Sequence, residues 1–319
     1  MVKCSYCGKP AVYISRANGK AYCAKHFIEY FDRKVRRTIR RYGMFSKKEH
    51  IVVAVSGGKD SLSLLHYLIK LARKVPTWRI SALLIDEGIR GYREYTIKDF
   101  MNFISEYKDV DYRIISFKEE FGATLDEIIR IGKKRGLPYL PCSYCGVFRR
   151  YLLNKVAREM GATVLATAHN LDDIIQTYLM NIIKNSWDKI ARLSPTTGSA
   201  RHPKFVRKVK PFFEVLEKET TLYAILNNIY PKHFVECPYA PTNIRWAIRK
   251  YLNELEERMP GTKYGLLQSL LTSLDLLKKS GREVIELNTC KICGEPSSHD
   301  ICRACMFRIE LGLLRVANN

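Results

Sequence analysis

Residues 51–61 read IVVAVSGGKDS, and this stretch decides the fold because a run of apolar residues passes directly into a pair of glycines. The apolar residues 51–55 predict a buried strand, and residues 60–74 carry the apolar periodicity of a helix. Glycines between a strand and a helix allow backbone amides to converge on an anion at the helix N-terminus. The stretch therefore predicts an α/β fold with an anion site after its first long strand.

Strands and helices alternate outward from this stretch, over residues 49–184. Such alternation predicts a doubly wound, Rossmann-like parallel sheet, in which ligands bind at the carboxyl ends of the strands. Further strands are predicted at residues 79–85, 111–117 and 163–168, and helices at 92–107, 123–134, after Cys145, and at 171–183, 218–229 and 243–280. Residues 185–211 predict a long basic loop.

The charge balance is strongly positive, with 54 Lys and Arg against 32 Asp and Glu and a net charge of +22. So large an excess usually indicates a polyanionic partner, with nucleic acid as the first candidate. The sequence contains no apolar run of the ~18 residues that a membrane span requires, and its N-terminus, MVKCSYCGKP, lacks the apolar stretch of a signal peptide. We therefore expect a cytoplasmic protein without a membrane partner.

Ten cysteines in a protein expected in the cytoplasm indicate metal binding rather than disulfides. Two groups have the spacing of closed tetrahedral zinc sites, although the first depends on His26, for which the alternative is an incidental histidine without a metal. The predicted zinc ligands are Cys4, Cys7, Cys23 and His26 in the first group and Cys290, Cys293, Cys302 and Cys305 in the second. The predicted domains are an N-terminal zinc finger at 1–30, a basic helix or linker at 31–48, a catalytic domain at 49–284 and a C-terminal zinc finger at 285–319.

The glycine loop carries side chains suited to a nucleotide. Ser56 and Ser61 add hydroxyl donors, and Lys59 supplies a positive charge to a phosphate. Asp60 would repel a bare phosphate, which indicates that it meets Mg²⁺ there. The loop is not a Walker A motif, since that motif requires a glycine at the position of Val53.

The remaining cysteines, Cys142, Cys145 and Cys237, form a CxxC pair with one distant partner. Three interpretations are open on the residues alone. The thiols could be a redox pair that forms a transient disulfide or carries a persulfide. They could ligate a [4Fe–4S] cluster through three thiolates, which leaves one iron without a protein ligand. They could also be buried cysteines without a chemical role.

SGGKDS at residues 56–61, placed after an apolar strand, resembles the PP-loop of the N-type ATP pyrophosphatases, which adenylate a carbonyl oxygen and release pyrophosphate. The segment ATAHNLDD, residues 166–173, is similar to a His-x-x-Asp-Asp segment of the PP-loop tRNA-modifying enzymes. Taken alone, His169 is more typical of a structural histidine, and Asp172 and Asp173 of helix caps. With the CxxC pair, the distant cysteine and both zinc units, essentially the whole chain resembles the tRNA 2-thiouridine synthetases of the TtuA type.

This resemblance implies Mg²⁺ with ATP, two zinc ions, and a [4Fe–4S] cluster on Cys142, Cys145 and Cys237 whose open iron holds the sulfide. It also implies a ubiquitin-like sulfur-carrier protein with a C-terminal thiocarboxylate, and a homodimer. Arg149 is implied to hold phosphates or developing charge, although its FRR context alone also fits a surface arginine. The implied catalytic residues are Lys59, Asp60, Arg149 and Asp173, the last as a Mg²⁺ ligand or a base. The implied ATP site comprises Ala54, Val55, Ser56, Gly57, Gly58, Lys59, Asp60, Ser61, Ile85, Arg149 and Asp173.

The implied reaction is tRNA 2-thiolation, in which a uridine C2 oxygen attacks the α-phosphorus of ATP and sulfur then displaces AMP. We expect the tRNA along the basic residues 33–41 and 204–210. Only two glutamines, Gln176 and Gln268, hint at a thermophile, which favours the T-loop uridine at tRNA position 54. Alternatives are the anticodon wobble uridine, or a lysidine synthetase, which needs neither CxxC nor zinc. A non-catalytic zinc-finger nucleic-acid-binding protein would explain the charge but not SGGKDS.

Overall fold

A computed structural model describes residues 2–198, 202–233, 235–242, 244–280 and 287–315. Within those ranges, none of the helices is long and apolar enough to cross a membrane. The strands are β1 (Tyr13–Ile14), β2 (Ala21–Tyr22), β3 (Glu49–Val55), β4 (Trp78–Asp86), β5 (Asp111–Ser116), β6 (Val164–Ala166), β7 (Thr196–Thr197), β8 (Arg207–Val209), β9 (Asn288–Thr289) and β10 (Pro296–Ser297).

The helices cover most of the remaining chain in these ranges. They are α1 (Ala24–Arg41), α2 (Lys59–Ala72), α3 (Arg93–Ile104), α4 (Phe117–Phe121), α5 (Leu125–Lys134), α6 (Pro141–Glu159), α7 (Leu171–Ile183), α8 (Trp187–Ile190), α9 (Glu217–Leu226), α10 (Arg245–Arg258), α11 (Thr262–Lys279) and α12 (Arg303–Glu310).

The central sheet confirms the predicted doubly wound fold. Its strand order is β5-β4-β3-β6-β8-β7, and every neighbouring pair is parallel except the edge pair β7–β8. The chain first builds outward from β3 to β5, and then crosses to the other side of β3 to form β6. Because the order reverses between β3 and β6, a crevice opens at their carboxyl ends, which is where such sheets bind ligands.

Strand β3 is buried on both faces, which explains its uninterrupted apolar run. Ile51, Val53 and Val55 pack into the cluster that includes α1, α2 and α9. Val52 points to the opposite cluster, formed with α5, α6 and α12. Burial of each such side chain contributes roughly 1.5–3 kcal/mol, so this strand anchors the layers on both sides of the sheet.

A third apolar cluster joins α7 to the C-terminal helices α10 and α11. Ile174 and Ile175 of α7 pack with Ile248 and Leu252 of α10 and with Leu270 of α11. Because α7 begins at the carboxyl end of β6, this packing brings the first turn of α10 to the crevice.

The N-terminal cysteine unit is continuous with the body of the protein. The hairpin β1–β2 leads into α1, which begins directly after Cys23 and extends to Arg41. The helix therefore crosses the predicted boundary at residue 30, because His26 and the basic residues belong to one helix. The predicted boundary at residues 284 and 285 lies outside the described residues.

Three predicted elements differ from the structure. Residues 185–211 were expected to form a loop, but they include α8, β7 and β8, because Val209 is buried in the sheet beside β6. The predicted helix at 243–280 is two helices separated at Gly261, whose φ of 101° a regular helix cannot contain. Helix α6 begins at Pro141 and not after Cys145, because proline suits the first position of a helix.

Candidate active site at the carboxyl ends of the strands

The predicted phosphate loop lies between β3 and α2. Gly57 has a φ of 81°, and a Cβ there would lie 2.1 Å from the carbonyl oxygen of Thr96, so only glycine fits. The hydroxyls of Ser56 and Ser61 lie 3.1 Å apart, and the backbone amide of Gly58 donates to Ser56 Oγ at 3.3 Å. The first-turn amides of α2 have no carbonyl partner within the helix, so this geometry is suited to an anion.

Carboxylates hold the loop lysine. Lys59 Nζ lies 2.8 Å from Asp60 Oδ2 and 3.2 Å from Glu217 Oε1, and Thr220 donates its hydroxyl proton to Asp60. Burial alone would lower the pKa of Lys59, but the charges of Asp60 and Glu217 outweigh it and raise the pKa. Glu217 begins α9 far along the chain, and no motif in the sequence pointed to it.

The two aspartates at the start of α7 have different environments. Asp173 accepts the Asn170 amide proton at 3.2 Å while Asn170 Oδ1 accepts that of Asp173 at 3.1 Å, so Asp173 belongs to a helix cap. Burial and the charge of Asp60 raise the pKa of Asp173 to about 6. Asp172 accepts the Glu217 amide proton at 2.7 Å and pairs with Lys263, so it joins three helices. The carboxyl group of Asp173 therefore lies at the crevice with a raised pKa.

His169 lies between the carboxyl end of β6 and the start of α7. Its Nδ1 lies 2.9 Å from Thr167 Oγ1, and its ring is accessible to solvent. Desolvation by the surrounding protein and the nearby charges of Lys210 and Arg245 lower the pKa of His169. Burial lowers the pKa of Lys208, in β8, to about 8 and that of Lys210, which directly follows this strand, to about 7. Both lysines also contribute to the lowered pKa of His169, so the three side chains lie near one another.

The three remaining cysteines line one cavity of about 230 Å³. Cys142 is exposed, Cys145 is buried and Cys237 is half-buried. Burial raises the pKa of Cys145 to about 11 and also raises that of Cys237. Among the described residues, only the two terminal groups bring three or more ligand atoms within 4.8 Å of one another. The thiols of Cys142, Cys145 and Cys237 are therefore spaced more widely than the ligand atoms of the terminal groups. This spacing fits an iron–sulfur cluster, in which each cysteine binds a different iron, better than a single metal ion.

A buried carboxylate connects the phosphate loop to this cavity. Glu87 is fully buried, with Arg93 Nε at 2.8 Å and Arg149 Nε at 2.6 Å from its oxygens. Arg93 also donates to the carbonyl oxygen of Ser56 at 2.7 Å. Arg149 Nη2 lies 3.0 Å from Cys145 Sγ, and the charge of Glu87 raises the pKa of Arg149. Glu87 and Arg93 were missed by sequence reasoning, although Glu87 directly follows the end of β4.

The terminal groups bring their ligand atoms together as the spacing predicts. Cys4 Sγ lies 3.4 Å and Cys23 Sγ 3.3 Å from His26 Nδ1, and Cys7 Sγ is 3.6 Å from Cys23 Sγ. In the second group, Cys293 Sγ is 3.7 Å from Cys302 Sγ, and Cys290 and Cys305 supply the other two ligand atoms. Both groups could hold a metal ion.

Some predicted residues lie away from the crevice surface. Ile85 is buried in the core at 2% exposure, and its carbonyl oxygen accepts a hydrogen bond from Arg93, so its contact with adenine stays a prediction. Within the basic stretch 33–41, Lys34 is buried and pairs with Glu219 at 2.5 Å. Its inclusion in the RNA footprint was wrong, because the side chain points into the protein.

Comparisons with known proteins agree with this geometry. The PP-loop domain family matches residues 28–236. A "tRNA-5-methyluridine(54) 2-sulfurtransferase" from Pyrococcus horikoshii is 39% identical over 308 residues, which are 96% of this chain and 93% of that protein. The chain belongs to the PP-loop family of tRNA 2-thiolation proteins.

Two further members of this PP-loop family are similar over nearly the full length. The "tRNA 2-thiolation protein NcsA" of Haloferax volcanii is 34% identical, with 95% of this chain and 97% of that protein covered. The solved structure of the "U34-tRNA thiolase NcsA from Methanococcus maripaludis with its [4Fe-4S] cluster" superimposes with a TM-score of 0.84. That structure is 34% identical and covers 100% of this chain and 99% of its own.

Proposed function

We propose that this protein is an ATP-dependent tRNA sulfurtransferase that replaces the C2 oxygen of a uridine with sulfur. One observation carries the proposal. The phosphate loop and the three-cysteine cavity lie at the same edge of the sheet, joined through Arg93, Glu87 and Arg149. Two half-reactions, adenylation and sulfur transfer, thereby have adjacent sites, and full-length relatives carry tRNA thiolation in their names.

The phosphate loop would bind the ATP phosphates. Amides of the first turn of α2 and the hydroxyls of Ser56 and Ser61 face the anion, and Lys59 exchanges Glu217 for a phosphate oxygen. Asp60 and Asp173 would hold the Mg²⁺, since carboxylate oxygens are its preferred protein ligands. The uridine C2 oxygen then attacks the α-phosphorus, pyrophosphate leaves, and Lys59 stabilises the charge that develops on the phosphates.

The three-cysteine cavity would hold a [4Fe–4S] cluster through Cys142, Cys145 and Cys237. When bound, the cluster supplies an iron without a protein ligand, to which sulfide can bind. Arg149 keeps a positive charge 3.0 Å from the sulfur of Cys145, which stabilises the thiolate that ligation requires. Sulfur then displaces AMP from C2 of the adenylated uridine with no net redox change.

The two terminal groups are proposed as structural zinc sites. Each offers four N or S ligands and no open position, which is typical of zinc with a folding role. The proposed partners are tRNA and a ubiquitin-like sulfur carrier with a C-terminal thiocarboxylate. We also propose a homodimer and a cytoplasmic location; relatives from Drosophila melanogaster and Danio rerio have "cytoplasmic" in their names.

The T-loop uridine at tRNA position 54 is the proposed target. Proteins named for this position in Pyrococcus horikoshii and Thermotoga maritima are 39% and 35% identical to the chain. The wobble uridine is the second candidate, because the Methanococcus maripaludis structure is described as a U34-tRNA thiolase. Transcripts that carry cytidine in place of uridine at position 54 or 34 separate the two, since only one replacement abolishes thiolation.

Anaerobic purification tests the cluster and the activity together. The protein should be brown, contain two zinc ions per chain, and thiolate tRNA with ATP and sulfide. Cys142→Ala should lose the iron and the thiolation while its zinc content stays unchanged. Full-rate thiolation by aerobic, iron-free protein would contradict the cluster-dependent mechanism.

A further inference from the structure

An exposed tryptophan lies in the three-cysteine cavity and is not used by the mechanism above. Trp246 is the second residue of α10, is 41% exposed, and lines the same cavity as Cys142, Cys145 and Cys237. A partly exposed indole in the wall of a cavity offers a flat apolar surface to a planar ligand.

The same indole is connected to the phosphate loop through two intervening side chains. Arg249 lies over the Trp246 ring, 5.7 Å from its centroid, and donates to Glu217 at 3.0 Å. Glu217 is in turn 3.2 Å from Lys59 of the phosphate loop. Three successive contacts therefore lead from Trp246 to the lysine that would meet ATP, so the ring is linked to both half-sites.

The first turn of α10 is held firmly against α7. Arg245, the neighbour of Trp246, donates to the carbonyl oxygen of Asp173 at 3.3 Å and to Thr177 Oγ1 at 2.9 Å. Ile248 and Leu252 bury the inner face of the same helix. The indole is thus presented from a rigid element, which limits the entropy that a stacked ligand must overcome.

The proposed thiolation requires the nucleobase of the target uridine to reach both the phosphate loop and the three cysteines. The uridine C2 atom must meet first the α-phosphorus of ATP and then the sulfur, and a base in a folded tRNA is stacked on its neighbours. An extruded base loses that stacking and regains it on an aromatic side chain. We propose that the indole of Trp246 stacks on the target uracil and holds it between the phosphate loop and the three cysteines. This inference rests on the proposed function, since it assigns a place to that reaction's substrate.

Single-turnover thiolation of saturating tRNA by anaerobically purified protein tests the proposal. Because Trp246→Ala removes the aromatic surface on which the base would stack, it should slow thiolation by roughly tenfold or more. Trp246→Phe keeps an aromatic ring and should retain most of the rate. The dissociation constant for tRNA should change less than about twofold, because phosphate contacts dominate affinity. Trp187→Ala is the matched control, since that tryptophan is 43% exposed on α8 and should leave the rate unchanged.

Tryptophan fluorescence provides a readout that does not depend on turnover. Binding of tRNA should quench wild-type and Trp187→Phe protein, but not Trp246→Phe. An abasic nucleotide at the target position, 54 or 34, should remove the quenching. Quenching of Trp246 to the same extent by ATP alone would overturn the proposal, because the ring would then face the adenine.

Other results overturn the inference without touching the proposed function. If wild-type protein thiolates tRNA and the rate of Trp246→Ala is within about twofold of the wild-type rate, the indole does not hold the target uracil. If Trp246→Phe loses as much rate as Trp246→Ala, aromatic stacking is not the cause. If wild-type protein forms no thiolated uridine at all, the proposed function fails, and the quenching experiment alone decides whether a base stacks on Trp246.

Discussion

At the residue scale, Asp173 is the group whose titration should control the rate at which pyrophosphate is released from ATP. Its pKa is raised to about 6, so the carboxyl is protonated below that pH and ionised above it. Only the ionised form binds Mg²⁺ well. Pyrophosphate release should therefore fall as the pH drops through about 6, and higher Mg²⁺ should move this transition to lower pH because the cation favours the ionised form.

A variant pair checks this assignment. Asp173→Asn should lower pyrophosphate release by at least about tenfold and remove the transition, while Asp188→Asn on the surface should leave the pH profile unchanged. The same raised pKa means that ionisation disfavours the folded state, so stability contributed by the protonated group is lost as the pH rises from about 4 to about 6. A transition that persists in Asp173→Asn would assign it to another group.

Among the residues that connect the two half-sites, Glu87 should be the one whose neutralisation lowers the free energy of unfolding most. It is fully buried between Arg93 and Arg149, and Arg93 is itself almost buried. Removing one partner of a buried ion pair leaves an uncompensated charge, so Glu87→Gln should lower the free energy of unfolding by about 3 kcal/mol. Urea denaturation measures this, and Asp111→Asn, in the exposed pair with Arg79, should change it by less than about 1 kcal/mol. Equal effects would refute the role of burial.

Sequence reasoning found the residues that carry recognisable local patterns. The SGGKDS loop and the terminal cysteine groups were predictable because their chemistry requires fixed spacing over a few residues. Glu87, Arg93 and Glu217 were not, because their partners come from other elements and a lone charged residue has no local signature. Lys34 was misplaced for the same reason, since only the tertiary structure brings Glu219 to it.

At the scale of elements, the first turn of α9 joins the N-terminal unit to the phosphate loop. Glu219 is fully buried and accepts hydrogen bonds from Tyr13 and Tyr30 at 2.8 and 2.9 Å, besides its ion pair with Lys34. One residue on, Thr220 bonds to Asp60 in the phosphate loop. The position of α1 is therefore coupled to that of the loop through a single helix terminus.

Glu219→Gln tests this coupling by hydrogen exchange. The change leaves Lys34 buried without a carboxylate, so amides of α1 and of the first turn of α9 should exchange at least about tenfold faster. Asp300→Asn, in the exposed pair with Lys291, is the matched control and should leave both helices protected. Faster exchange confined to α9 would show that α1 is held by its apolar face alone.

The elements themselves were predictable where periodicity is long. Strand β3 and helix α7 were predicted from continuous or periodic apolar residues, and the structure confirms both. Strand β8 was not, because three residues rich in lysine and arginine give no strand signal and only pairing with β6 makes them one. The break before α11 likewise depends on the backbone conformation of Gly261.

At the scale of the whole molecule, the net charge of +22 should appear as a steep salt dependence of tRNA binding. Arg33 and Arg40 are exposed on α1, within the basic stretch predicted to contact RNA. Replacing both with glutamine should reduce the slope of log K against log salt by about 1–2, since each phosphate contact contributes roughly 0.7–0.9. Lys278 and Lys279, exposed at the end of α11, serve as control positions whose replacement should leave the slope unchanged. An unchanged slope in the α1 variant would remove this helix from the footprint.

The most direct test of the proposed activity is mass spectrometry of nucleosides from tRNA treated with anaerobically purified protein, ATP and sulfide. We predict one 2-thiolated uridine per tRNA, with AMP and pyrophosphate formed in equal amounts, and no thiolation when ATP is omitted. Oligonucleotide mapping should place the sulfur at position 54, as in the name of the Pyrococcus horikoshii relative. Cluster-loaded protein that binds tRNA and ATP but forms no thiolated nucleoside would contradict the account.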